Sequence, residues 1–306
     1  MRRELWEFKY APTKFDEMIL NDNIKPALKD ALKTRPNMLI YGPPGVGKGT
    51  FVEVLKNYND LNGLTLKINA SDETGIDAMR DKVKSFATAM SIDKMKLVYL
   101  NEADSLTSGP QGSQKMLRDL MESTQNNTQF ILVLNYINLV IPEILSRCQV
   151  YNITSPPAVD IFKYCQKILL SEKVKFKPDS LISLVKKCYP DVRNTIITLQ
   201  QNVIDGVLSD NLVESASEQV YKQILDNMMK DPSEVRKILK SNTIHYDGLY
   251  NYLYEQLMTD DDLFTDDGSA IIHTGEASYR NSIVANKEIN FMSMYFKMLN
   301  DGTIKL

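Results

Sequence analysis

The sequence predicts a parallel α/β sheet domain followed by a second half built only of helices. Three observations lead there. Short apolar runs alternate with segments of helical period up to about residue 153. The first run leads straight into a glycine-rich loop, Gly42-Pro43-Pro44-Gly45-Val46-Gly47-Lys48-Gly49, and a helical segment follows it. Ser155-Pro156-Pro157 then breaks the alternation, and beyond it only helical periodicity continues.

In order, Asn37–Tyr41 reads as the first strand, and Lys48–Tyr58, with Phe51, Val52, Val54 and Leu55 on one side, as the first long helix. Thr65–Asn69 is a strand. Ile76–Met90 is a helix with Met79, Val83, Phe86 and Met90 on one face. Lys96–Leu100 is a strand, Gln114–Glu122 a helix, Phe130–Leu134 an apolar strand, and a last strand falls near Val150–Ile153. Strands alternating with helices in this way give a parallel sheet covered on both faces. Past the prolines, Ile161, Cys165, Ile168 and Leu169 mark one helix, and Leu181, Leu184, Val185 and Cys188 another. A third helix is expected from Asp191 to about Gly206. After the polar stretch Leu208–Ser217, further helices are expected at Glu218–Met229, Ser233–Lys240, Tyr246–Met258 and Asn286–Leu299. The expected domains are 1–153, 154–207 and 208–306.

Composition narrows the function classes. At 306 residues and 43% hydrophobic, the chain can hold two or three domains with real cores. It contains no run of about 18 apolar residues, so no membrane span is expected. Met1-Arg2-Arg3-Glu4-Leu5-Trp6-Glu7 has basic residues but no apolar stretch after them, unlike a secretory signal. Cys148, Cys165 and Cys188 are far apart and odd in number, which suits a reducing cytoplasm. A net charge of −3 means that nucleic-acid binding would need a local basic face.

The glycine loop fits the phosphate-binding pattern G-x-x-x-x-G-K-[ST] except at its last position. Glycines let backbone N–H groups turn inward around phosphates, Lys48 reaches the β- and γ-phosphates, and a hydroxyl ordinarily meets Mg²⁺. Gly49 stands at the hydroxyl position, with Thr50 one residue later. Leu97-Val98-Tyr99-Leu100-Asn101-Glu102-Ala103-Asp104 is the second nucleotide signature, an apolar strand ending in polar and acidic groups. Asn101 stands on its metal side, where Asp is usual, while Glu102 keeps the position that activates water. Asp260-Asp261-Asp262-Leu263-Phe264-Thr265-Asp266-Asp267-Gly268 lacks the alternating ligands and terminal Glu of a calcium loop and reads as a solvated turn.

Together with Asn69-Ala70-Ser71-Asp72-Glu73-Thr74-Gly75-Ile76-Asp77 and Ile141-Pro142-Glu143-Ile144-Leu145-Ser146-Arg147-Cys148, these motifs resemble the AAA+ subunits of sliding-clamp loaders. The resemblance is to replication factor C and, in the compact last hundred residues, to the phage clamp loader of the T-even type. It implies an AAA+ P-loop core, a helical lid and an all-helical collar that assembles subunits. It further implies that ATP with Mg²⁺ binds through Pro44, Gly45, Val46, Gly47, Lys48, Gly49 and Thr50, with Thr50 and Asn101 on the metal side. Asn135 matches the sensor of the γ-phosphate, Arg147 an arginine finger reaching a neighbour's ATP, and Arg193 the lid sensor. Tyr10 falls where the family's N-terminal segment borders the adenine, although Ala11 replaces the family's Arg before the proline.

The resemblance also implies partners: primer–template DNA, a sliding clamp, copies of this chain and an accessory subunit in a ring or spiral, without a membrane. The cytoplasm, a host's if the source is viral, is the expected compartment. Arg80 and Lys84, one helical turn apart, with Lys82 beside them, would face DNA, as would Ser113 and Gln114 at the next helix's start. Gln114 and Arg118 would couple DNA to the ATP site. Three other readings are compatible with parts of the sequence: a hydrolysis-poor subunit of the same complex, a nucleoside monophosphate kinase with its Gly-Lys-Gly-Thr loop, or another AAA+ DNA motor.

Overall fold

The computed structural model describes residues 4–71, 76–89, 95–107, 112–209, 216–258 and 264–304. The chain divides into two compact units, Met1–Leu212 and Val213–Leu306. In the first, α1 (Trp6–Lys9) and α2 (Lys25–Thr34) precede β1 (Met38–Tyr41), α3 (Lys48–Tyr58), β2 (Thr65–Asn69), α4 (Ile76–Thr88) and β3 (Lys96–Asn101). Then come α5 (Ser113–Ser123), β4 (Thr128–Leu134), α6 (Pro142–Leu145) and β5 (Gln149–Asn152). Helices α7 (Ala158–Ser171), α8 (Pro178–Cys188) and α9 (Val192–Gln201) and the hairpin β6 (Val203–Ile204)–β7 (Val207–Leu208) complete the unit.

The five strands β1 to β5 form one parallel sheet in the order β2-β3-β4-β1-β5. Alternate residues of each strand feed opposite faces. Met38, Ile40, Leu97, Tyr99, Ile131 and Val133 join Leu28, Phe51 and Leu55 in one core. Leu39, Val98, Leu100, Phe130 and Leu132 join Val83, Leu117 and Met121 in the other. The inner strands β3, β4 and β1 are buried on both faces and read as near-continuous apolar runs, whereas the edge strands β2 and β5 keep exposed polar residues. Registers of Tyr41 with Leu134 and of Leu100 with Leu132 bring the carboxyl ends of β1, β3 and β4 side by side, which is where ligands bind in open α/β sheets.

Helices α7 to α9 enclose their own core of Ile161, Cys165, Leu169, Leu181, Leu184, Val185 and Leu199, and Trp6 is buried in it. The Trp6 backbone N–H donates to Gln200 Oε1 at 2.9 Å, and Tyr10 Oη to Glu172 Oε1 at 2.7 Å, so α1 is tied to these helices. The helix expected to run to about Gly206 ends at Gln201. Asp205 and Gly206 both have positive φ (49° and 75°) and turn a two-residue hairpin between Val203-Ile204 and Val207-Leu208.

The second unit consists of α10 (Ala216–Met228), α11 (Pro232–Ser241), α12 (Tyr246–Leu257), α13 (Asp267–Asn281) and α14 (Lys287–Asn300). Asp231, His245, Asp266 and Asn286 each cap the helix that follows by accepting a backbone N–H. Tyr295, fully buried, donates to Met228 O at 2.8 Å, and Asn290 Nδ2 donates to Ala277 O at 2.7 Å. Asp266-Asp267-Gly268, expected in a turn, is the cap and first turn of α13, whereas 259–263 lie outside the described residues. The stripe Phe291, Met294, Tyr295 and Met298 is buried core.

Among the described residues, no helix is long and apolar enough to cross a membrane. All three cysteines are free thiols, with Cys165 and Cys188 buried.

Candidate nucleotide site at the carboxyl edge of the sheet

The loop from Gly42 to Gly47 leaves β1 and enters α3 through Gly47, whose φ is 95°. Gly42 has φ 146°, and a Cβ there would lie 2.1 Å from the carbonyl oxygen of Ile153, so only glycine lets β1 turn this close to the chain after β5. At the apex, Gly45 O accepts the Arg193 backbone N–H at 3.3 Å, and a Cβ on Gly45 would strike the Asp191 carboxylate. The loop is thereby docked on the first turn of α9, where Asp191 caps the helix by accepting from Asn194 N at 2.8 Å. Met18, in the segment before α2, reaches the other side of the loop, its Cε 3.9 Å from an ideal Cβ on Gly47. Val46 is buried and Pro44 exposed.

Lys48 is 8% exposed, and its ammonium donates to Gly42 O and Pro43 O, each at 2.7 Å, and to Asn135 Oδ1 at 2.9 Å. Burial pushes its pKa down to about 8, partly offset by the Asp104 carboxylate, while Arg193 pushes it further down. The ammonium therefore stays charged at neutral pH. Arg193 itself is exposed at the start of α9 and close enough for its charge to be felt at Lys48.

Asp104 was visible in the sequence only as the tail of a motif, yet it organises this edge. Its carboxylate accepts the backbone N–H of Asn135 (2.9 and 3.1 Å) and of Tyr136 (3.0 Å), holding the turn after β4 against the turn after β3. That is how Asn135 is brought to Lys48. Asp104→Ala is expected to leave two amides without partners and to cost about 1–3 kcal/mol of stability. Urea denaturation would show the loss, and nucleotide affinity would fall as Asn135 drifts.

Glu102 adopts a left-handed backbone conformation (φ 53°, ψ 42°) that costs a non-glycine residue on the order of 1 kcal/mol. This turn leaves the Glu102 side chain exposed at the carboxyl end of β3. Beside it, Asn101 Oδ1 accepts from Tyr99 Oη at 3.1 Å, and an ideal Cβ on Gly49 would lie 3.3 Å from that hydroxyl. Thr50 is rotated about 100° around α3 from Gly49. Burial pushes the Tyr99 phenol up to about 12, so it is a neutral donor.

The glycine cradle, the uncapped first turn of α3 and the buried ammonium fit a nucleotide's phosphates. On the metal side the chain offers neutral oxygens, Tyr99 Oη and Asn101 Oδ1, which suit a hydrated Mg²⁺ carried by those phosphates. Among the described residues, no group of three His, Cys, Asp or Glu side chains is placed to hold a metal.

Other expected site residues lie apart from this cluster. Arg147 donates to Glu122 Oε2 at 3.0 Å and to Glu143 O at 2.9 Å. It precedes the start of β5, whose Gln149 pairs with Met38, whereas the glycine loop follows the end of β1. That places it roughly 20 Å along the strand direction from its own loop. Tyr10 sits with α7, its hydroxyl on Glu172 and its carbonyl accepting from Tyr164 Oη.

On α4, Lys82 and Lys84 are exposed and Arg80 is half-buried, while Val83 and Ala87 face the core. The preceding Asp72–Gly75 lie outside the described residues. At the start of α5, Ser113 and Gln114, expected to face DNA, point into the protein instead. Gln114 is 1% exposed, and its side chain donates to Leu106 O and Leu139 O and accepts from Ile141 N, each at 2.9 Å. Ser113 is also buried, and Thr107 takes the Ser113 and Gln114 backbone N–H groups. Neither side chain can face DNA in this arrangement. Gln114 instead ties the turn after β3 to the segment after β4.

The sequence family described as "ATPase family associated with various cellular activities (AAA)" matches residues 38–155, which span the sheet and its loops. The chain is 30% identical over 320 residues to the replication factor C small subunit of Methanocella arvoryzae, covering 96% of this chain and 97% of that protein. It is 29% identical over 320 residues to that of Thermofilum pendens, covering 97% of each. Replication factor C small subunit 1 of Pyrobaculum islandicum is 36% identical over 226 residues, covering 71% of this chain and 67% of that protein. Among solved structures, the RuvB Holliday junction branch migration motor of Thermotoga maritima has a TM-score of 0.58 at 16% identity, covering 80% of this chain and 91% of that one, a likeness of fold alone. With its glycine cradle, buried lysine and strand-end glutamate in AAA order, the chain belongs to the replication factor C small-subunit family, the ATPase subunits of clamp loaders.

Proposed function

We propose that this subunit uses Mg²⁺-ATP to grip and open a sliding clamp, and that primer–template DNA triggers hydrolysis and release of the closed clamp. The observation that carries this reading is the convergence of Lys48, Asn135 and Asp104 at the carboxyl edge of the sheet, with Glu102 at the end of β3 and Arg147 at the opposite end of β5. Lys48 and the loop amides hold the phosphates. Glu102 accepts the proton of the attacking water, and Asn135 fixes that water or the γ-phosphate. Arg193 touches the nucleotide from α9, and Tyr10 with the α1 segment borders the base. Arg147 serves the nucleotide of a neighbouring copy. Copies of this chain with an accessory subunit form the ring or spiral through the second unit. Lys82 and Lys84, with Arg80, lie along the DNA backbone, where exposed cations suit phosphates. The complex works in the cytoplasm.

A hydrolysis-poor role would rest on Gly49 and Asn101, but the supports of Asn135 and Lys48 are intact around them. ATP turnover by the reconstituted complex, with and without primed DNA and clamp, tests the reading. Stimulation by both together is expected. Turnover indifferent to DNA and clamp would contradict it.

A further inference from the structure

Gly49 and Asn101 look in the sequence like two independent losses on the metal side of the site. The structure joins them through a third residue. Tyr99 and Asn101 are two apart on β3 and project to the same face of the sheet, the one that α3 covers. The Tyr99 side chain, 3% exposed, runs beneath α3 among Phe51, Val54 and Leu55, so its hydroxyl emerges beside the first turn of that helix. There it stands 3.3 Å from where the Cβ of any larger residue at position 49 would be, and it donates to Asn101 Oδ1 at 3.1 Å.

A serine or threonine at 49 would bring its Cβ to 3.3 Å from the phenol oxygen, close enough that the phenol tip must shift by a few tenths of an ångström. Gly49 thus leaves room for the Tyr99 phenol tip, which brings a hydroxyl close to the position where Gly49 has none. The ring is fixed from a further direction: Lys67, its register partner on β2, carries its ammonium 5.4 Å from the ring centroid.

We propose that Tyr99 is the positioning residue of the metal side in this subunit. Its hydroxyl substitutes for the missing hydroxyl at position 49 and, together with Asn101, forms a neutral oxygen pair that receives the waters of a nucleotide-bound Mg²⁺. The chemistry follows from what each atom still has to offer. Mg²⁺ holds on to several waters, and metal-bound waters are donors in need of acceptors. Tyr99 Oη spends its one proton on Asn101 and keeps its lone pairs, and Asn101 Oδ1 keeps a second lone pair. Orientation is the phenol's other contribution. By donating to Oδ1 it sets which end of the Asn101 amide faces the site, a choice that a carboxylate, with two equivalent oxygens, would not require. The protein then adds no negative charge at these two positions, and the ion is held chiefly through the phosphates.

This inference rests on the Mg²⁺-ATP reading above, and the test separates the two. Affinity for a fluorescent ATP analogue is measured in Mg²⁺ and in EDTA for the wild type, Tyr99→Phe, Gly49→Ser and the double variant, with thermal melting as a check on folding. The wild type is expected to bind more tightly in Mg²⁺ than in EDTA. Tyr99→Phe should lose about tenfold of that gain, the low end for removing an outer partner of a metal site. Its affinity in EDTA should be unchanged, which a merely structural defect would not leave intact. Gly49→Ser alone should weaken binding in both media, because its Cβ forces the Tyr99 phenol tip, and with it the first turn of α3, to shift. Gly49→Ser combined with Tyr99→Phe should recover the Mg²⁺-dependent gain.

A Mg²⁺-dependent gain in the wild type that Tyr99→Phe leaves intact overturns the inference alone. Wild-type binding indifferent to Mg²⁺ overturns the metal part of the functional reading, and the inference with it.

Discussion

Replacing Arg147 by alanine is expected to lower DNA-stimulated ATP turnover of the assembled complex by about a thousandfold or more, with nucleotide affinity of the isolated chain unchanged. Both halves follow from where the residue lies. Arg147 lies just before β5, at the opposite end of the strands from Lys48, so it cannot serve the phosphates bound by its own loop. Its guanidinium donates to Glu122, whose side chain is 66% exposed, to the Glu143 carbonyl and, at 3.5 Å, to the Ser146 hydroxyl. An exposed ion pair of this kind contributes at most about 1 kcal/mol. A neighbour's triphosphate, offering several anionic oxygens, can therefore draw the planar fork away. Arg147→Lys should rescue little, because a point charge does not reproduce the bidentate grip. Loss of nucleotide binding in isolated Arg147→Ala would place the residue in the cis site and contradict this account.

Glu102→Gln is expected to cost between about 10² and 10⁴ in turnover, the range for a lost general base. Nucleotide should still bind, since the contacts of Lys48 and the loop do not involve Glu102. The amide keeps the shape and hydrogen-bonding reach of the carboxylate but cannot take up the water's proton. Residue 102 has a left-handed backbone, a conformation that glycine adopts without strain. Glu102→Gly should relieve the strain and raise the thermal midpoint while abolishing turnover. Stability and activity would then move in opposite directions, which nonspecific damage does not produce. Single-turnover kinetics with prebound ATP give the cleanest comparison, because binding is then removed from the measured rate.

The sheet domain was legible because its signals are local. Doubly buried strands read as apolar runs, and the glycine loop between β1 and α3 has a spacing dictated by phosphate geometry. Helix α13 was not, because it buries Ala270, Thr274, Ala277 and Asn281, small or polar side chains that leave no hydrophobic stripe. The β6–β7 hairpin carried a readable signal in Asp205-Gly206 between apolar pairs, which the preceding helical period obscured.

At the site, Lys48, Asn101, Glu102 and Asn135 could be named from their motifs, but what holds them could not. Asp104 reaches across to the turn after β4, and Gln114 bonds backbone groups up to 27 positions away, contacts that no linear spacing encodes. Gln114 was expected at DNA because of the family resemblance of its helix, whereas its buried amide bonds backbone groups in the interior. Tyr99 was overlooked because an aromatic in a buried strand is ordinarily core. Its approach to Gly49 and its hydrogen bond to Asn101 give it a further meaning.

A catalytic site shared between neighbouring copies should allow two inactive chains to complement one another. ATP turnover is compared for complexes assembled from Lys48→Ala chains, from Arg147→Ala chains, and from an equal mixture of the two. Each pure assembly should be inactive, the first for want of a phosphate grip and the second for want of the arginine from next door. In the mixture, about a quarter of the interfaces between copies pair an intact loop with an intact neighbouring arginine, since half the chains keep each part. Turnover should recover to roughly that fraction. A mixture no more active than either pure assembly would contradict the shared site.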